Sequence, residues 1–188
     1  MVRGALRRGL RPAVRLNGTS DLAWESIAPD LFLDFPGVIF YDYTKSAARV
    51  RRMLEARDWS ASVDSPATVI GRRVPAWWPR NYDLTFSWSG TNGADAVALL
   101  RSGARVAVPF HGRPPVGARV AWTGGPVWRA SADLPTWDVI DGDSTDLRFL
   151  DPGACIVGLK AKGPAKRDRS GWVVDLDEGR HGARPAAP

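Results

Sequence analysis

Apolar residues fall along the chain in short runs separated by polar turns, and the runs alternate between two periods. Ala13–Leu16 (AVRL), Gly37–Tyr43 (GVIFYDY), Tyr82–Trp88 (YDLTFSW) and Ala104–Phe110 (ARVAVPF) read as strands, with the length and the β-branched or aromatic content that strands favour. Between them the spacing turns helical. Leu22, Ala23 and Ile27 share a face behind an N-cap at Ser20, with Pro29 as the stop. Ala47, Val50, Met53 and Leu54 share another over Ser46–Arg57. Val97, Leu99 and Leu100 supply a third in Asp95–Arg101, closed by Gly103. Strands at Trp137–Ile140, Leu147–Leu150 and Cys155–Lys160, with an edge strand at Trp172–Leu176, complete the pattern.

This alternation predicts βα units joined by right-handed crossovers, hence an α/β fold with a mostly parallel sheet. A complete eight-unit barrel takes about 250 residues, so a chain of 188 allows only an incomplete or TIM-barrel-like layer. Two Pro-containing stretches interrupt the rhythm. Asp58–Arg80 reads as an insertion or functional loop, and His111–Leu134 as a connection containing a hairpin at Gly117–Trp122. The expected organisation is a basic arm or helix at 1–12, one α/β domain at 13–176 and a disordered tail at 177–188.

Composition changes this picture little, since 44% hydrophobic and 24% charged residues are ordinary for a globular chain. Charge adds more. The net charge is +6, and the excess gathers near the ends: Arg3–Arg15 holds five arginines and no acid, and Lys160–Arg169 holds five bases and one acid. Clustered positive charge suits an anionic partner such as nucleic acid, although an arginine-rich solvated surface reads the same way. The single cysteine, Cys155, excludes an internal disulfide and a cysteine-rich metal site. No apolar run approaches the roughly 20 residues of a membrane span, and no signal-peptide core opens the chain, so no membrane partner and a cytoplasmic location are expected.

In parallel sheets, ligands meet the loops beyond the carboxyl ends of the strands. Read in order, those ends present Asn17 and Asp21, then Asp42 and Lys45, Ser87 and Asn92, His111, and Asp141 with Asp143 and Asp146. If they converge they form one polar bowl. Asp141 and Asp143 with Asp146 have the hard oxygens that Mg²⁺ takes, and Lys45 can neutralise a phosphate, a catalytic set for phosphate chemistry. The same Asp-Gly-Asp-Ser wording also makes an ordinary turn. Arg15 and Arg148 sit among apolar strand residues and each requires a carboxylate such as Asp21 or Asp146, or a ligand. Lys160 and Lys162, spaced by the strand period, form with Lys166 and Arg167 either an anion-binding patch or a solvated edge. Trp77 and Trp78 among Arg72, Arg73 and Arg80 suit base stacking or the plugging of a long loop.

Four phrases carry a further resemblance: VRLNGTSDLAWE (Val14–Glu25), FYDYTK (Phe40–Lys45), NYDLTFSWSGTN (Asn81–Asn92) and VIDGDSTDLRFLDPGACIVGLKAKG (Val139–Gly163). In this order they resemble an uncharacterised domain of phages, prophages and plasmids, the gene-product-eighty-eight-like group, from Arg11 to Val174. The resemblance implies a mobile-element protein with an α/β fold and brings no established activity. It also implies longer relatives with a cysteine-bearing upstream region, so this chain is expected to be a compact version or one shortened at its start. The residues leave three functions open: a nucleic-acid- or phosphate-directed enzyme with a carboxylate cleft, a non-catalytic nucleic-acid-binding module, or a degenerate barrel with a structural role.

Overall fold

A computed structural model describes residues 2–62, 77–122, 124–125, 127–128 and 135–176. Strands β1 (Ala13–Arg15), β2 (Ile39–Thr44), β3 (Tyr82–Ser87) and β4 (Val106–Phe110) lie side by side in chain order and pair in parallel. The sheet then departs from chain order. Beyond β4 come β8 (Cys155–Lys160), β7 (Thr136–Asp141) and β5 (Arg119–Ala121), of which only β5 runs antiparallel to its neighbour. A separate parallel pair joins β6 (Val127–Trp128) to β9 (Asp175–Leu176). The seven-stranded sheet is open, with β1 at one edge and β5 at the other, and does not close into a barrel.

Side-chain alternation sorts the strands into two faces. Leu84 and Phe86 of β3, Val106 and Val108 of β4 and Ile156 of β8 join one core with Val50 and Met53 of α4 (Ala47–Ser62) and Leu99 and Leu100 of α5 (Gly93–Arg101). Each such Leu, Val or Phe contributes about 1.5–3 kcal/mol when fully buried, which makes this helical side the main source of stability. The other face carries a smaller apolar group of Ala107, Cys155 and Val157, flanked by Tyr43, Ile140 and Leu159. No helix covers it among the described residues. The β7–β8 connection, residues 142–154, runs over it and places Phe149 against Tyr41. Burial pushes the Cys155 thiol up to about 11, as expected of a small core side chain.

Several elements depart from their sequence-based bounds for identifiable reasons. Ser20 does not cap a helix, because its Oγ donates to Asn17 Oδ1 at 2.8 Å. That oxygen also accepts from the Leu22 N–H and the Trp24 Nε1–H. Residues 20–23 therefore wrap around Asn17, helix starts only at α2 (Trp24–Ile27), and Pro29 leads into α3 (Asp30–Asp34) instead of ending the segment. A first short helix, α1 (Val2–Arg7), occupies the basic N-terminus. Leu147–Leu150 is a corrected element. Arg148–Leu150 is one 3₁₀ turn, with Leu150 exposed and Arg148 buried, the reverse of what a strand with apolar residues turned inward requires. The Gly117–Trp122 stretch forms no hairpin of its own, since β5 pairs with β7. The tail at 177–188 lies outside the described residues.

Candidate functional site

The strand ends do not form one bowl. Alternation along β2 sends Asp42 to the helical side and Tyr41 and Tyr43 to the other, and the polar residues divide accordingly. On the helical side Asp42 accepts from the Asn17 N–H at 2.6 Å, from Asn17 Nδ2 at 3.2 Å and from the Tyr82 hydroxyl at 2.7 Å. Arg49 donates to both oxygens of Glu25 at 2.8 Å and to Asp21 Oδ1 at 2.9 Å. Asp21 Oδ2 accepts the Lys45 backbone N–H. Burial drives the Asp42 carboxyl above its usual range, an effect that the Tyr82 and Asn17 hydrogen bonds and the Arg49 charge only partly offset. Nearly every oxygen here is used. The network fastens the chain between β1 and α2 to the sheet, and Asn17, Asp21 and Asp42 are its members.

Arg15, Asp143, Asp146, Ser87 and Lys162 gather on the other face. With Tyr43, Ala107, Gly142, Thr145 and Leu159 they line a cleft of about 480 Å³ at the carboxyl ends of the central strands. Asp146 stands in it as an acceptor for three donors from two strands: Arg15 Nη1 at 3.2 Å, the Tyr43 hydroxyl at 3.0 Å and the Tyr41 hydroxyl at 3.4 Å. The Arg15 guanidinium also lies 4.7 Å from the centre of the Tyr43 ring. Burial first, and the Asp146 charge second, hold the Tyr43 phenol protonated far above its ordinary range. Tyr43 is therefore a dedicated donor.

Asp143 pairs with Lys162 at 2.7 Å and accepts the Lys160 backbone N–H at 2.8 Å. Desolvation raises its carboxyl, but the Lys162 and Lys160 hydrogen bonds and charges outweigh it and leave the group below the usual carboxylate range. The folded state therefore gains from this group above the ordinary aspartate range, and the gain disappears as pH falls through the depressed value. We expect the Asp143 side-chain carbon to titrate by NMR below an ordinary aspartate and to move back up in Lys162→Ala. A titration unchanged by that substitution would contradict the pairing.

Asp141 turns away from this cleft's donors. Its Oδ1 accepts the N–H groups of Asp143 at 2.8 Å and Ser144 at 3.3 Å, the geometry of an Asx turn. Asp141, Asp143 and Asp146 thus each answer to separate protein donors, and among the described residues no three or more His, Cys, Asp or Glu side chains form a group able to hold a metal ion. Asn92 spans the end of β3, accepting from the Ser89 N–H and donating to Ser87 O, each at 3.0 Å. Lys160 is exposed and offers the site its backbone N–H. Trp78 is a plug, stacked on Tyr82 and bonded to its carbonyl, while Trp77 is half-exposed. Both precede β3, at the opposite end of that strand from Ser87. Arg72 and Arg73 lie outside the described residues.

Below the cleft the same face holds an internal ion-pair group. Asp83 accepts from Arg105 Nη2 with both oxygens at 2.6 Å, and from Arg57. Arg105 Nη1 donates to the Arg148 carbonyl and, at 3.3 Å, to that of Asp151. A second cavity of about 260 Å³ opens there beside Asp83, Arg105 and Asp151. Arg148, in the connection whose Thr145 and Asp146 line the first cavity and whose Phe149 and Asp151 line the second, is 1% exposed. Its Nη2 donates to Thr145 O, and its Nη1 lies 3.1 Å from Asp151 Oδ2, outside hydrogen-bond alignment. Arg148 Nε, Arg148 Nη1 and Thr85 Oγ1 are buried without a hydrogen-bond partner.

The Gene product 88 family model matches residues 1–176. The chain belongs to the Gene product 88 family. No curated protein and no solved structure matches it. Gene product 88 is a domain of unknown function, so membership assigns no activity. The family span takes in both polar groups and ends at β9. Among the described residues, no helix is long and apolar enough to cross a membrane.

Proposed function

We propose that this Gene product 88 domain binds a phosphate-bearing ligand in the cleft over β2, β3 and β4, and that nucleic acid is the partner class it fits. The observation that carries this reading is the donor set of the cleft. Two cations, Arg15 and Lys162, and the hydroxyls of Tyr43, Ser87 and Thr145 line one open depression at the strand carboxyl ends. Phosphate oxygens are what such a set satisfies. Lys162 leads into a 3₁₀ turn, Gly163–Arg167, that extends the positive charge through exposed Lys166 and Arg167. Both cleft carboxylates are spent on internal cations, which favours binding over metal-assisted hydrolysis at this site.

Fluorescence anisotropy with short labelled single-stranded DNA and RNA, across a salt series, tests this. We expect affinity to fall with salt and Arg15→Ala with Lys162→Ala to weaken binding about ten-fold or more. The salt slope should drop by about 0.7 for each lost phosphate contact. Salt-insensitive binding, or a loss that follows Arg7→Ala with Arg8→Ala and spares the cleft pair, would overturn the assignment.

A further inference from the structure

The Asp146 carboxylate is held as a bound anion would be. It comes from the β7–β8 connection, whereas its donors come from the sheet: Arg15 at the end of β1, and Tyr41 and Tyr43 on one side of β2. The pair with Arg15 is substantially exposed, 35% for the arginine side chain and 49% for the aspartate. Ion pairs that wet contribute only about 0–1 kcal/mol, so a competing anion displaces the carboxylate at small cost.

Behind this position the packing is incomplete. The segment that carries Asp146 also carries Arg148, 1% exposed, whose Nε has no hydrogen-bond acceptor and whose Nη1 meets the Asp151 carboxylate at 3.1 Å only as a misaligned ion pair; Thr85 Oγ1 on β3 is buried without a hydrogen-bond partner too. Buried donors without acceptors cost about 1–3 kcal/mol each. A loop whose resting position were its only position would be expected to satisfy them. The Arg148 charge also acts on Tyr43, opposing in part the burial and the Asp146 charge that keep its phenol protonated.

We infer that Arg15, Tyr41 and Tyr43, backed by Arg148, form an oxyanion subsite for one phosphate group, and that Asp146 is its built-in occupant, displaced when ligand phosphate enters. The inference rests on the reading of the cleft as a phosphate site and assigns the atoms within it. A phosphate brings more charge and more acceptor oxygens than the carboxylate it replaces, so the donors exchange one acceptor for a stronger one. Asp146 then acts as a competitor in cis, and the observed affinity is the intrinsic affinity reduced by the fraction of time the subsite stands free.

The test is titration calorimetry with inorganic phosphate. Asp146→Asn keeps the shape and removes the charge, and we expect it to bind phosphate about ten-fold or more tighter than the parent, as follows if the arm fills the subsite some nine-tenths of the time. Tyr43→Phe in the Asp146→Asn background should cancel the gain. Asp141→Asn removes a neighbouring charge outside the subsite and should change affinity less than about two-fold. Equal affinities for Asp146→Asn and parent, or an equal gain in Asp141→Asn, would overturn the subsite. The unsubstituted protein provides a second readout that needs no variant. Saturating phosphate should speed hydrogen exchange at the Arg148 N–H, which donates to Asp146 O at rest, and unchanged exchange would count against displacement. A gain shared by a 5′-phosphorylated oligonucleotide assigns the phosphate to a strand, and one confined to inorganic phosphate assigns it to a free anion; either supports the subsite. The broader cleft reading fails separately, on oligonucleotide binding by the unsubstituted protein.

Discussion

Asp83→Ala should lower stability by about 3–5 kcal/mol, because it strands the Arg105 guanidinium under the β7–β8 connection with no carboxylate. Side chains of the pair are 7% and 6% exposed, and both Asp83 oxygens accept from Arg105 Nη2 at 2.6 Å. For a chain of this size such a loss lowers the unfolding temperature by on the order of 10 °C. Arg57 also reaches Asp83, but its side chain is 46% exposed, so Arg57→Ala should cost no more than about 1 kcal/mol. Replacing both partners, Asp83→Leu with Arg105→Met, should be milder than Asp83→Ala alone, since the only charge that loses its partner is the half-exposed Arg57. Urea unfolding of the four proteins measures all three differences. An Asp83→Ala midpoint close to the parent's would show that the pair is not desolvated.

The second large effect comes from backbone packing. A Cβ placed on Gly93 would lie 1.7 Å from Gly124 O and 2.5 Å from Gly124 C, so Gly93→Ala must prise the Gly124 backbone from the start of α5. That loop holds the core in place. Trp122, 1% exposed, donates its indole N–H to Gly125 O at 2.7 Å and meets Trp88 edge-on at 5.3 Å. Moving it disturbs two large aromatic side chains at once, and a loss of about 3 kcal/mol or more is expected, at the upper end for overpacking. Gly124 has φ of +87°, so alanine there adds backbone strain to the same clash. Gly18→Ala meets nothing within 4 Å and should stay within about 0.5 kcal/mol of the parent. Thermal denaturation of Gly93→Ala and Gly18→Ala decides it, and equal midpoints would refute the close approach.

The central strands and two main helices were legible because each element's pattern matched its environment. ARVAVPF and CIVGLK lie between neighbours on both sides and read as continuous apolar runs, and Val50, Met53 and Leu54 repeat at helical spacing. LRFL misled because its alternation resembles a strand's. There the connection turns Arg148 inward instead of its apolar neighbour Leu150, a choice made by Thr145 O and Asp151 across the turn. The carboxylates at 141, 143 and 146 looked like one site because they are close in sequence. A tight turn separates neighbours in sequence more effectively than a strand does, and backbone N–H groups claimed Asp141. Tyr41 and Tyr43, the donors to Asp146, were hidden inside GVIFYDY, a run that reads simply as an apolar strand. The available signal was parity: in FYDY the tyrosines alternate with Phe40 and Asp42, so one face of β2 was bound to be phenolic. The Asp83–Arg105 and Glu25–Arg49 pairs span 22 and 24 residues and become visible only once β2, β3 and β4 are set side by side.

The strand order β1-β2-β3-β4-β8-β7-β5 also has a temporal meaning. The first four strands can pair one after another as they leave the ribosome, each with the strand made just before it. Their inner neighbour β8 is among the last elements synthesised, and until residues 155–160 emerge the β4 edge, VAVPF, has no partner. An unpaired apolar edge is the surface on which nascent chains associate wrongly. Synthesis stalled between Phe110 and Cys155 therefore produces the species of this protein most exposed to misassembly, and arrival of β8 ends that exposure by filling the gap from within.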